Sequence, residues 1–467
     1  MIEEENVLTQ VVAFGLCCGC GLCAGICPCR SLGMRFNDAG EYNPYSTEVA
    51  CRKCGLCLKT CPFSDQSENE DHIGLMSFGS LEKINHTKET GYYSDTFVGY
   101  SNVHGHRENG SSGGLATWLL ESLLQSKEVD AVACVKPSPG GHPLFEYTLC
   151  RTPEEIRECS RSCYYPVEIS SIIRRIMETD ARYAVIALPC VCKALRLAMR
   201  NIPKLAGRVK YVLGLTCGHT TSINFAEYVC GLAGGNARQL DRMLFRIKEP
   251  LTPALNLIAS VVCRREDADE QKKIYWSQGI GSAFMTRYFT PLSCEFCDDL
   301  FAECADVSFM DAWLPEYSSN CGGHSIMLIR NPNIQRFIRH FGDDDCTLEQ
   351  INISRVIKSQ ESALRIKRLY LPMRMEIGAE SLPKIPKKRY AQTSGYRISF
   401  IEKLFIRAQW AIARNTNRLW IQSNRDMKCF NRLSRILRSR LTWVARFSSL
   451  FDDPVVTLKK WAHKIVS

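Results

Sequence analysis

The chain has 467 residues, of which 45% are hydrophobic, and a formal net charge of +10. It is too long for a small electron carrier and predicts two or three globular domains with a sizeable core. Glutamates at positions 3–5 replace the cationic start of a secretion signal, and no apolar run reaches the ~18 residues of a membrane helix. We therefore expect a reducing cytoplasm, with attachment to the inner membrane face as a further option.

Two cysteine runs of identical spacing, each closed by a proline, dominate residues 17–62. The runs are Cys17, Cys20, Cys23 and Cys27, and Cys51, Cys54, Cys57 and Cys61. This is the spacing of bacterial two-cluster ferredoxins, in which the fourth cysteine of each run binds the cluster of the other run. It predicts one [4Fe–4S] cluster on Cys17, Cys20, Cys23 and Cys61, and a second on Cys51, Cys54, Cys57 and Cys27.

Zinc knuckles and a disulfide scaffold are the alternatives, and the doubled pattern with both prolines favours the clusters. Gly19, Gly21 and Gly55 are expected to let the backbone approach the clusters closely.

The distribution of apolar, polar and charged residues along the sequence predicts an α/β (α+β) multidomain chain in four segments. A ferredoxin-type domain spans residues 1–65, and a polar connector spans 66–95 and wraps the next domain as loops and short elements. An α/β domain with a largely parallel sheet spans 96–383, because apolar runs such as Ala131–Val135, Ala184–Leu188 and Tyr211–Leu215 alternate with helical stretches such as Leu115–Gln125 and Ile169–Glu178. A basic helical tail spans 384–467.

A turn of small residues precedes the helical stretch at Leu115. Ser111, Ser112, Gly113 and Gly114 lead directly into it. Backbone N–H groups at a helix N-terminus and close-approaching glycines suit a phosphate, and the planar fork of Arg107 would suit the same anion. A plain helix cap by Ser112 explains the local sequence equally well.

Four later cysteines form a second candidate metal site: Cys190, Cys217, Cys294 and Cys297. Cys190 and Cys217 each follow a predicted strand, and Cys294 and Cys297 have the spacing of two adjacent thiolate ligands. From spacing alone, a third cluster, a zinc site and simple buried cysteines all remain open. Cys192, Cys304 and Cys321 are additional candidates for one ligand position.

The order of these features resembles the family formed by the β subunits of coenzyme F420-reducing hydrogenases and dehydrogenases. The resemblance rests on short matches spread over residues 95–330: Ser111–Gly114, Ser162 with Tyr164, Pro189–Cys190, Cys217–Gly218, Cys294 with Cys297–Asp298, Ala305–Ser308, and Asp311 with Trp313.

The resemblance implies an oxidoreductase with a flavin, FAD or FMN, near the Ser-Gly-Gly turn, bound by Arg107, Ser111, Ser112, Gly113, Gly114, Ser162 and Tyr164. It also implies a third [4Fe–4S] cluster on Cys190, Cys217, Cys294 and Cys297. Four positions depart from the family pattern: Cys163 stands in place of a lysine, Val191 in place of a glutamine, Met310 in place of a glycine and Ala312 in place of a phenylalanine. These departures leave the substrate open.

The tail carries the positive charge, with 19 Lys and Arg against four Asp and Glu over residues 384–467. Ile398, Ile401, Phe405, Ala408 and Ile412 recur at helical spacing, and four of the seven tryptophans lie in this segment. Such a helix suits an anionic membrane surface, an acidic partner protein, or the chain's own acidic body. No nucleic-acid motif is present.

We read the chain as an iron–sulfur flavoprotein oxidoreductase. Electrons would pass between the N-terminal clusters, the third cluster and the flavin, and the flavin would exchange a hydride with coenzyme F420 or another unsaturated compound. A redox protein or a small molecule would supply or accept the electrons. The alternative is a wiring subunit of a larger complex with no organic substrate of its own.

Overall fold

The computed structural model describes residues 5–139, 141–264, 269–390 and 398–441. Short elements carry the two cysteine runs: α1 Val7–Gln10, α2 Leu22–Gly25, β1 Leu32–Phe36, β2 Tyr42–Ser46 and α3 Leu56–Thr60. β1 and β2 form an antiparallel hairpin between the runs. α2 and α3 start at equivalent places in the two runs because Gly21 and Gly55 adopt positive φ angles of 81° and 69° there.

The connector packs against the middle domain as short elements: α4 Glu70–Phe78, β3 Asn85–Thr87 and β4 Gly91–Tyr93. The Asn69 side chain caps α4 by accepting a hydrogen bond from the backbone N–H of His72. Glu70, in the first turn of α4, is buried and forms an ion pair with Lys193 of the middle domain at 3.4 Å. Charged contacts therefore hold a segment that is poor in apolar residues.

The middle domain alternates strands and helices. Its first half comprises β5 Asp95–Ser101, α5 His106–Asn109, α6 Leu115–Gln125, β6 Ala131–Pro137, β7 Phe145–Cys150, α7 Pro153–Glu158, α8 Ser170–Glu178, β8 Tyr183–Ala187, α9 Pro189–Asn201, α10 Pro203–Arg208 and β9 Val209–Leu215. Its second half comprises α11 Ile223–Leu232, β10 Leu240–Ile247, β11 Ile258–Cys263, β12 Glu270–Tyr275, α12 Ile280–Met285, α13 Leu292–Glu295, β13 Val307–Asp311, α14 Pro315–Ser318, β14 Ser325–Ile329, α15 Pro332–Asp345, β15 Cys346–Gln350, α16 Ile353–Ser359, α17 Glu361–Leu364 and α18 Leu371–Ser381.

Within the described residues, the main sheet has eight strands in the order β15-β5-β14-β13-β9-β8-β6-β7. The central strands β13, β9, β8 and β6 run parallel. β7 pairs antiparallel with β6, and β14, β5 and β15 continue the other side antiparallel. The short connection 138–144 requires the antiparallel pairing of β6 and β7, since a parallel return needs a long crossover. The expectation of a largely parallel sheet is right for the centre and wrong for both sides.

The sheet brings two of the predicted metal ligands together. The carboxyl ends of β8 and β9 are adjacent, because Ala187 pairs with Gly214. Leu188 then caps α9 with Pro189 in its first turn, so that Cys190 lies at the start of this helix. Cys217 follows shortly after the end of β9. This edge of an α/β sheet is where ligands commonly bind.

The described part of the tail folds as α19 Phe400–Gln422 and α20 Met427–Leu433. The predicted apolar face of α19, which includes Ile401, Phe405 and Ile412, is buried against the middle domain. Trp410 packs on Phe296 with ring centroids 5.8 Å apart. The chain itself therefore covers this face, so for the apolar side of α19 the structure agrees with the alternative of packing on the chain's own body.

The remainder of the predicted tail, residues 442–467 with Trp443 and Trp461, lies outside the described residues. Among the helices that the structure describes, none is both long enough and apolar enough to cross a bilayer.

Candidate metal and cofactor sites

The four later cysteines line one cavity at the carboxyl ends of β8 and β9. Burial raises the pKa of Cys217 to about 12, and Cys190 and Cys297 add to this rise. Burial, Cys217 and Cys297 also raise the pKa of Cys294. Because electrostatic effects of this kind fall off with separation, the four thiols form one cluster. The structure thus brings together Cys190, Cys217, Cys294 and Cys297, as predicted.

The other candidate cysteines lie elsewhere. Cys192 and Cys304 are fully buried in the apolar core beside the sheet, and the Cys192 Sγ donates to the carbonyl oxygen of Ala187 at 3.5 Å. Cys321 is exposed. None of these three lines the cavity, so the geometry favours the predicted set of four.

A buried lysine faces the thiol set. Lys367 Nζ donates to Cys297 Sγ at 2.9 Å and to the carbonyl oxygen of Asp299 at 2.7 Å. Lys367 lies on a π-helical turn, Arg365–Leu369, a local irregularity that often marks functional positions. Burial lowers the pKa of Lys367, but the neighbouring sulfurs of Cys297 and Cys217 outweigh burial and raise it above its ordinary value. The lysine therefore contributes a fixed positive charge beside the sulfurs.

The same cavity is also lined by Cys17, Cys18 and Cys20 of the first cysteine run. Cys18 is not part of the predicted ligand pattern, but its side chain interacts with both Cys20 and Cys190. Cys190 also contributes to the raised pKa of Cys17. The first run and the later thiol set are therefore neighbours, with Cys18 between them.

The fourth cysteine of the second run joins the first run. Burial raises the pKa of Cys17 to about 12, and Cys61 adds to the shift. Burial also raises the pKa of Cys23, with further contributions from Cys17 and Cys61. This placement of Cys61 beside Cys17 and Cys23 is the one that crossed ligation requires.

The second run has the opposite environment. Cys51 and Cys54 are exposed, and Cys57 and Cys27 are partly buried. Cys27 Sγ lies 3.7 Å from Cys29 Sγ, and the Cys29 thiol contacts the backbone N–H of Arg52 in the second run. The second predicted cluster thus lies at the surface and the first lies inside.

The first run is fixed directly to the middle domain. The backbone N–H of Ile169 donates to the carbonyl oxygen of Cys20 at 3.1 Å, and Arg174 donates to the carbonyl oxygens of Ala24 and Leu32. A Cβ at Gly21 would lie 2.3 Å from Glu168 Oε2. The space beside Gly21 is therefore occupied by the middle domain, which gives this glycine a reason other than the expected approach to a cluster.

The Ser-Gly-Gly turn is held tightly by the strands below it. The Ser112 Oγ donates to the carbonyl oxygen of His324 at 2.5 Å, and a Cβ at Gly113 would lie 2.4 Å from the carbonyl oxygen of Gly99. Gly114, with a φ of 78°, begins α6. Ser162, predicted to belong to the same site, donates its backbone N–H to Ser111 Oγ at 2.6 Å.

Arg107 is engaged by the protein. Its Nε and Nη2 donate to the carbonyl oxygen of Gly323 at 3.1 and 2.9 Å, and its guanidinium carbon lies 3.5 Å from the centroid of the Tyr100 ring. These contacts position Arg107 beside the turn and use part of its donor capacity.

Lys248 also supports the turn, and sequence analysis missed it. Its Nζ donates to the carbonyl oxygens of Ser112 at 2.5 Å and Gly322 at 2.7 Å, and to that of Arg107. Burial and the neighbouring Arg246 and Arg107 lower the pKa of Lys248 to about 7. A cation with three carbonyl partners fixes the turn and adds positive charge next to it.

An aromatic contact chain connects the turn region with the thiol cavity. The Tyr164 and Phe284 ring centroids lie 5.0 Å apart, and Phe284 stacks on His219 at 4.1 Å. His219 itself lines the cavity. Arg246 forms a two-pronged ion pair with Asp311 at 2.9 and 2.7 Å and also interacts with the side chain of Tyr164. The two predicted sites are thus adjacent parts of one region.

The residues around the cavity fit an iron–sulfur cluster and a neighbouring group. Thiolate donors are the ligands that iron–sulfur clusters use, and the cavity offers four of them. His219 Nε2 and Ser293 Oγ are buried and have no hydrogen-bond partner in the part of the chain that the structure describes. Buried polar atoms without partners are rare in proteins, so this wall is suited to a bound group.

Two profiles of one family match the chain. The profile for the N-terminal part of the coenzyme F420 hydrogenase/dehydrogenase beta subunit matches residues 96–174, and the profile for the C terminus of the same beta subunit matches residues 180–352. Together they cover more than half of the chain. The chain belongs to the family of coenzyme F420 hydrogenase/dehydrogenase beta subunits. The predicted family is thereby confirmed, and the mixed sheet and its helices confirm the predicted α/β class.

Curated relatives of this family member include a subunit of the F(420)H(2) dehydrogenase of Methanosarcina mazei, 22% identical over 45% of this chain and 55% of the relative. The coenzyme F420-dependent sulfite reductase of Methanocaldococcus jannaschii is 25% identical over 70% of this chain and 46% of the relative. The chain thus spans about half the length of each of these relatives.

Among solved structures, a chain of the F420-reducing [NiFe] hydrogenase complex from Methanosarcina barkeri superposes with a TM-score of 0.48 and 16% identity. The match covers 66% of this chain and all of that chain.

Proposed function

We propose that the chain is an iron–sulfur flavoprotein oxidoreductase that moves electrons between ferredoxin-type [4Fe–4S] clusters and a flavin, FAD or FMN. The organic substrate would be coenzyme F420, a deazaflavin, or another unsaturated compound. The observation that carries this proposal is the single cavity shared by the first cysteine run and by Cys190, Cys217, Cys294 and Cys297. Membership of the family and the names of the relatives support the redox class.

The chain's own residues have definite tasks in this proposal. A bound flavin supplies hydride exchange with an organic molecule and one-electron exchange with clusters. Lys367 stabilises negative charge at the thiol set, and the apolar and aromatic walls at Tyr147 and Tyr165 exclude water from it. Lys248 holds the Ser-Gly-Gly turn in the form that would receive the phosphates of the flavin.

The exposure of the cysteines supports an order of the predicted clusters along the path of the electrons. Cys51 and Cys54 face solvent, whereas Cys20 and Cys23 are buried and Cys20 lines the cavity. A redox partner would therefore meet the second run, and electrons would reach the interior by way of the first run and the later thiol set. Arg52, Lys53 and Lys59 are exposed around the second run, which favours a partner with an acidic surface.

Anaerobic purification with iron, labile sulfide and flavin counts tests the cofactor content. We expect about twelve irons and one flavin per chain, since each of three clusters holds four irons. About eight irons would contradict the third cluster, and the absence of flavin would contradict the flavoprotein assignment. Turnover of the loaded protein with a deazaflavin then tests the substrate class separately from the cofactor content.

A wiring subunit without its own organic substrate is the second candidate. The engagement of Arg107 by the Gly323 carbonyl and the Tyr100 ring favours it, because a guanidinium held by protein has fewer donors for a phosphate. Full iron content without flavin and without deazaflavin turnover would support this second function. Binding of one flavin that is weakened by Arg107→Ala would support the first.

A further inference from the structure

Three cysteines outside both predicted redox regions converge at one side of the main sheet. Cys134 lies on β6 and Cys150 ends β7. Val132 pairs with Cys150 and Cys134 pairs with Thr148, so Cys134 and Cys150 are diagonal neighbours on the same face of the sheet. Cys159, the residue that ends α7, approaches the same point.

The spacing of the three sulfurs fits a single metal ion. All three Sγ atoms lie within 4.8 Å of one another, and the Sγ atoms of Cys150 and Cys159 are 3.5 Å apart. Two thiolates bound tetrahedrally at about 2.3 Å from Zn²⁺ lie roughly 3.8 Å apart. A disulfide needs a sulfur separation of about 2.05 Å and would leave the third thiol unused. The ligands of a four-iron cluster each bind a different iron, which holds their sulfurs farther apart.

This cluster is separate from the redox regions. Side chains alternate along β6, so Ala131 and Ala133 face the core that contains Cys190, while Val132 and Cys134 face the opposite core with Trp118. The sheet itself lies between the three cysteines and the thiol cavity. They therefore cannot serve as ligands of the clusters assigned above.

The surroundings leave one position open. Cys134 and Cys150 are buried, and Cys159 is partly exposed, so an ion can enter from the Cys159 side. Across the described ranges, no fourth His, Cys, Asp or Glu joins the three sulfurs at that spacing. Zinc sites with three protein ligands leave the fourth position to water or another small ligand, and soft thiolates select soft ions.

We propose that Cys134, Cys150 and Cys159 bind one soft metal ion of the Zn²⁺ or Cu⁺ class. Three sulfur–metal bonds form as the thiols release their protons to solvent, and no electrons are exchanged. The bound ion ties the end of α7 to the β6–β7 hairpin. This structural role of the bound ion does not depend on the cluster and flavin sites.

The test uses the full chain, purified without oxygen and loaded with its clusters, and titrated separately with Zn²⁺ and with Cu⁺. We expect one tightly bound equivalent that is absent in Cys150→Ser. The matched control is Cys346→Ser, which changes a buried cysteine of the same core that lies outside the cluster, and this variant should retain the equivalent. When Zn²⁺ and Cu⁺ are added together, the ion that the protein retains identifies which of the two metals the site prefers.

A second measurement protects the test against misfolding of Cys150→Ser. Metal binding should slow the alkylation of Cys159, followed by mass spectrometry, at least tenfold in the wild-type chain, and Cys159→Ser should lose the bound ion while keeping its iron content. Equal metal binding in wild type and Cys159→Ser would overturn the proposal. So would unchanged alkylation on addition of either ion, or a Cys150–Cys159 disulfide in the anaerobic protein.

Discussion

The two cysteine runs have the same spacing but opposite environments. Cys20 and Cys23 of the first run are buried and the run shares a cavity with the later thiol set, whereas Cys51 and Cys54 of the second run are exposed. Identical ligand patterns thus acquire different roles from what packs around them. Burial strengthens the interactions between neighbouring charges because the effective dielectric is low, whereas exposure allows a partner protein to approach. The protein can therefore tune the reduction potential of a cluster on the first run, whereas a cluster on the second run can exchange electrons with a partner.

The largest expected effect separates the runs by their crossed ligands. Cys61→Ser should remove the buried cluster, with a loss of about four irons and a lower melting temperature, because metal binding contributes to folding. Cys27→Ser should remove the exposed cluster with less loss of stability. Iron counts, electron paramagnetic resonance and thermal unfolding measure both variants.

Cys429→Ser is the control, since Cys429 lies in α20 away from both runs. If Cys61→Ser lost the exposed cluster and kept the buried one, the crossed assignment would be wrong.

The next effect concerns the interior charge. Lys367→Met should lower the reduction potential of the cluster at the later thiol set, because a cation that stabilises the reduced form is removed. Two unit charges about 4 Å apart interact by roughly 4 kcal/mol at an effective dielectric of about 20, which bounds the shift at about 170 mV. Potentiometric titration followed by electron paramagnetic resonance measures it.

Lys367→Arg should retain most of the potential. Lys53→Met beside the exposed run should shift its cluster by at most about 40 mV, because the same separation in water gives about 1 kcal/mol. Equal shifts in the two regions would remove the distinction between them.

A buried cation also predicts a pH dependence that surface cations lack. The pKa of Lys248 is lowered to about 7 by burial and by Arg246 and Arg107, so its ammonium form prevails below pH 7 and is lost as the pH rises above 7. Flavin affinity should therefore fall above pH 7, by at most about tenfold per pH unit. Flavin fluorescence measures the dissociation constant.

Lys248→Arg should abolish this pH dependence, because a guanidinium stays charged over the whole range. An unchanged pH profile in that variant would assign the effect to another group.

The smallest expected effect lies at the surface. Charge reversal by Lys59→Glu should slow electron transfer with an acidic carrier such as a small ferredoxin a few-fold, and more at low salt, since surface charges mainly affect association rates. Stopped-flow kinetics at two ionic strengths measures this. Lys204→Glu changes an exposed lysine of α10 and should leave the rate unchanged.

The features that could be predicted from the sequence are those encoded by residues close together in the chain. The spacing within each cysteine run, the helix Leu115–Gln125 and the apolar face of α19 each depend on short-range patterns that survive without knowledge of the fold. The antiparallel sides of the sheet were missed because pairing direction depends on connections, which apolar runs do not reveal.

The missed site residues share a physical cause. Lys367 contacts Cys297 and Lys248 contacts Ser112 across 70 and 136 residues of sequence, and no local pattern distinguishes these lysines from others. The three cysteines at 134, 150 and 159 have no recognised spacing. The diagonal pairing of β6 and β7 brings Cys134 and Cys150 together, and the packing of α7 adds Cys159. Long-range contacts of this kind become visible only in the folded chain.

The segment just after the predicted boundary at residue 383 has a further consequence. Lys384 forms an ion pair with Asp65 at 2.9 Å, and Arg389 bonds Asp71, 318 residues earlier in the chain, at 2.6 Å. These contacts fasten the segment to residues just after the second run, and Lys384 Nζ also donates to the carbonyl oxygen of Gln10, shortly before the first run, at 3.3 Å. During synthesis on the ribosome, the cysteines of the first run emerge long before this segment does. The cysteines of the first run are therefore synthesised before the segment that packs beside them. We expect the native surroundings of their cluster to form only after residues 384–389 have been made.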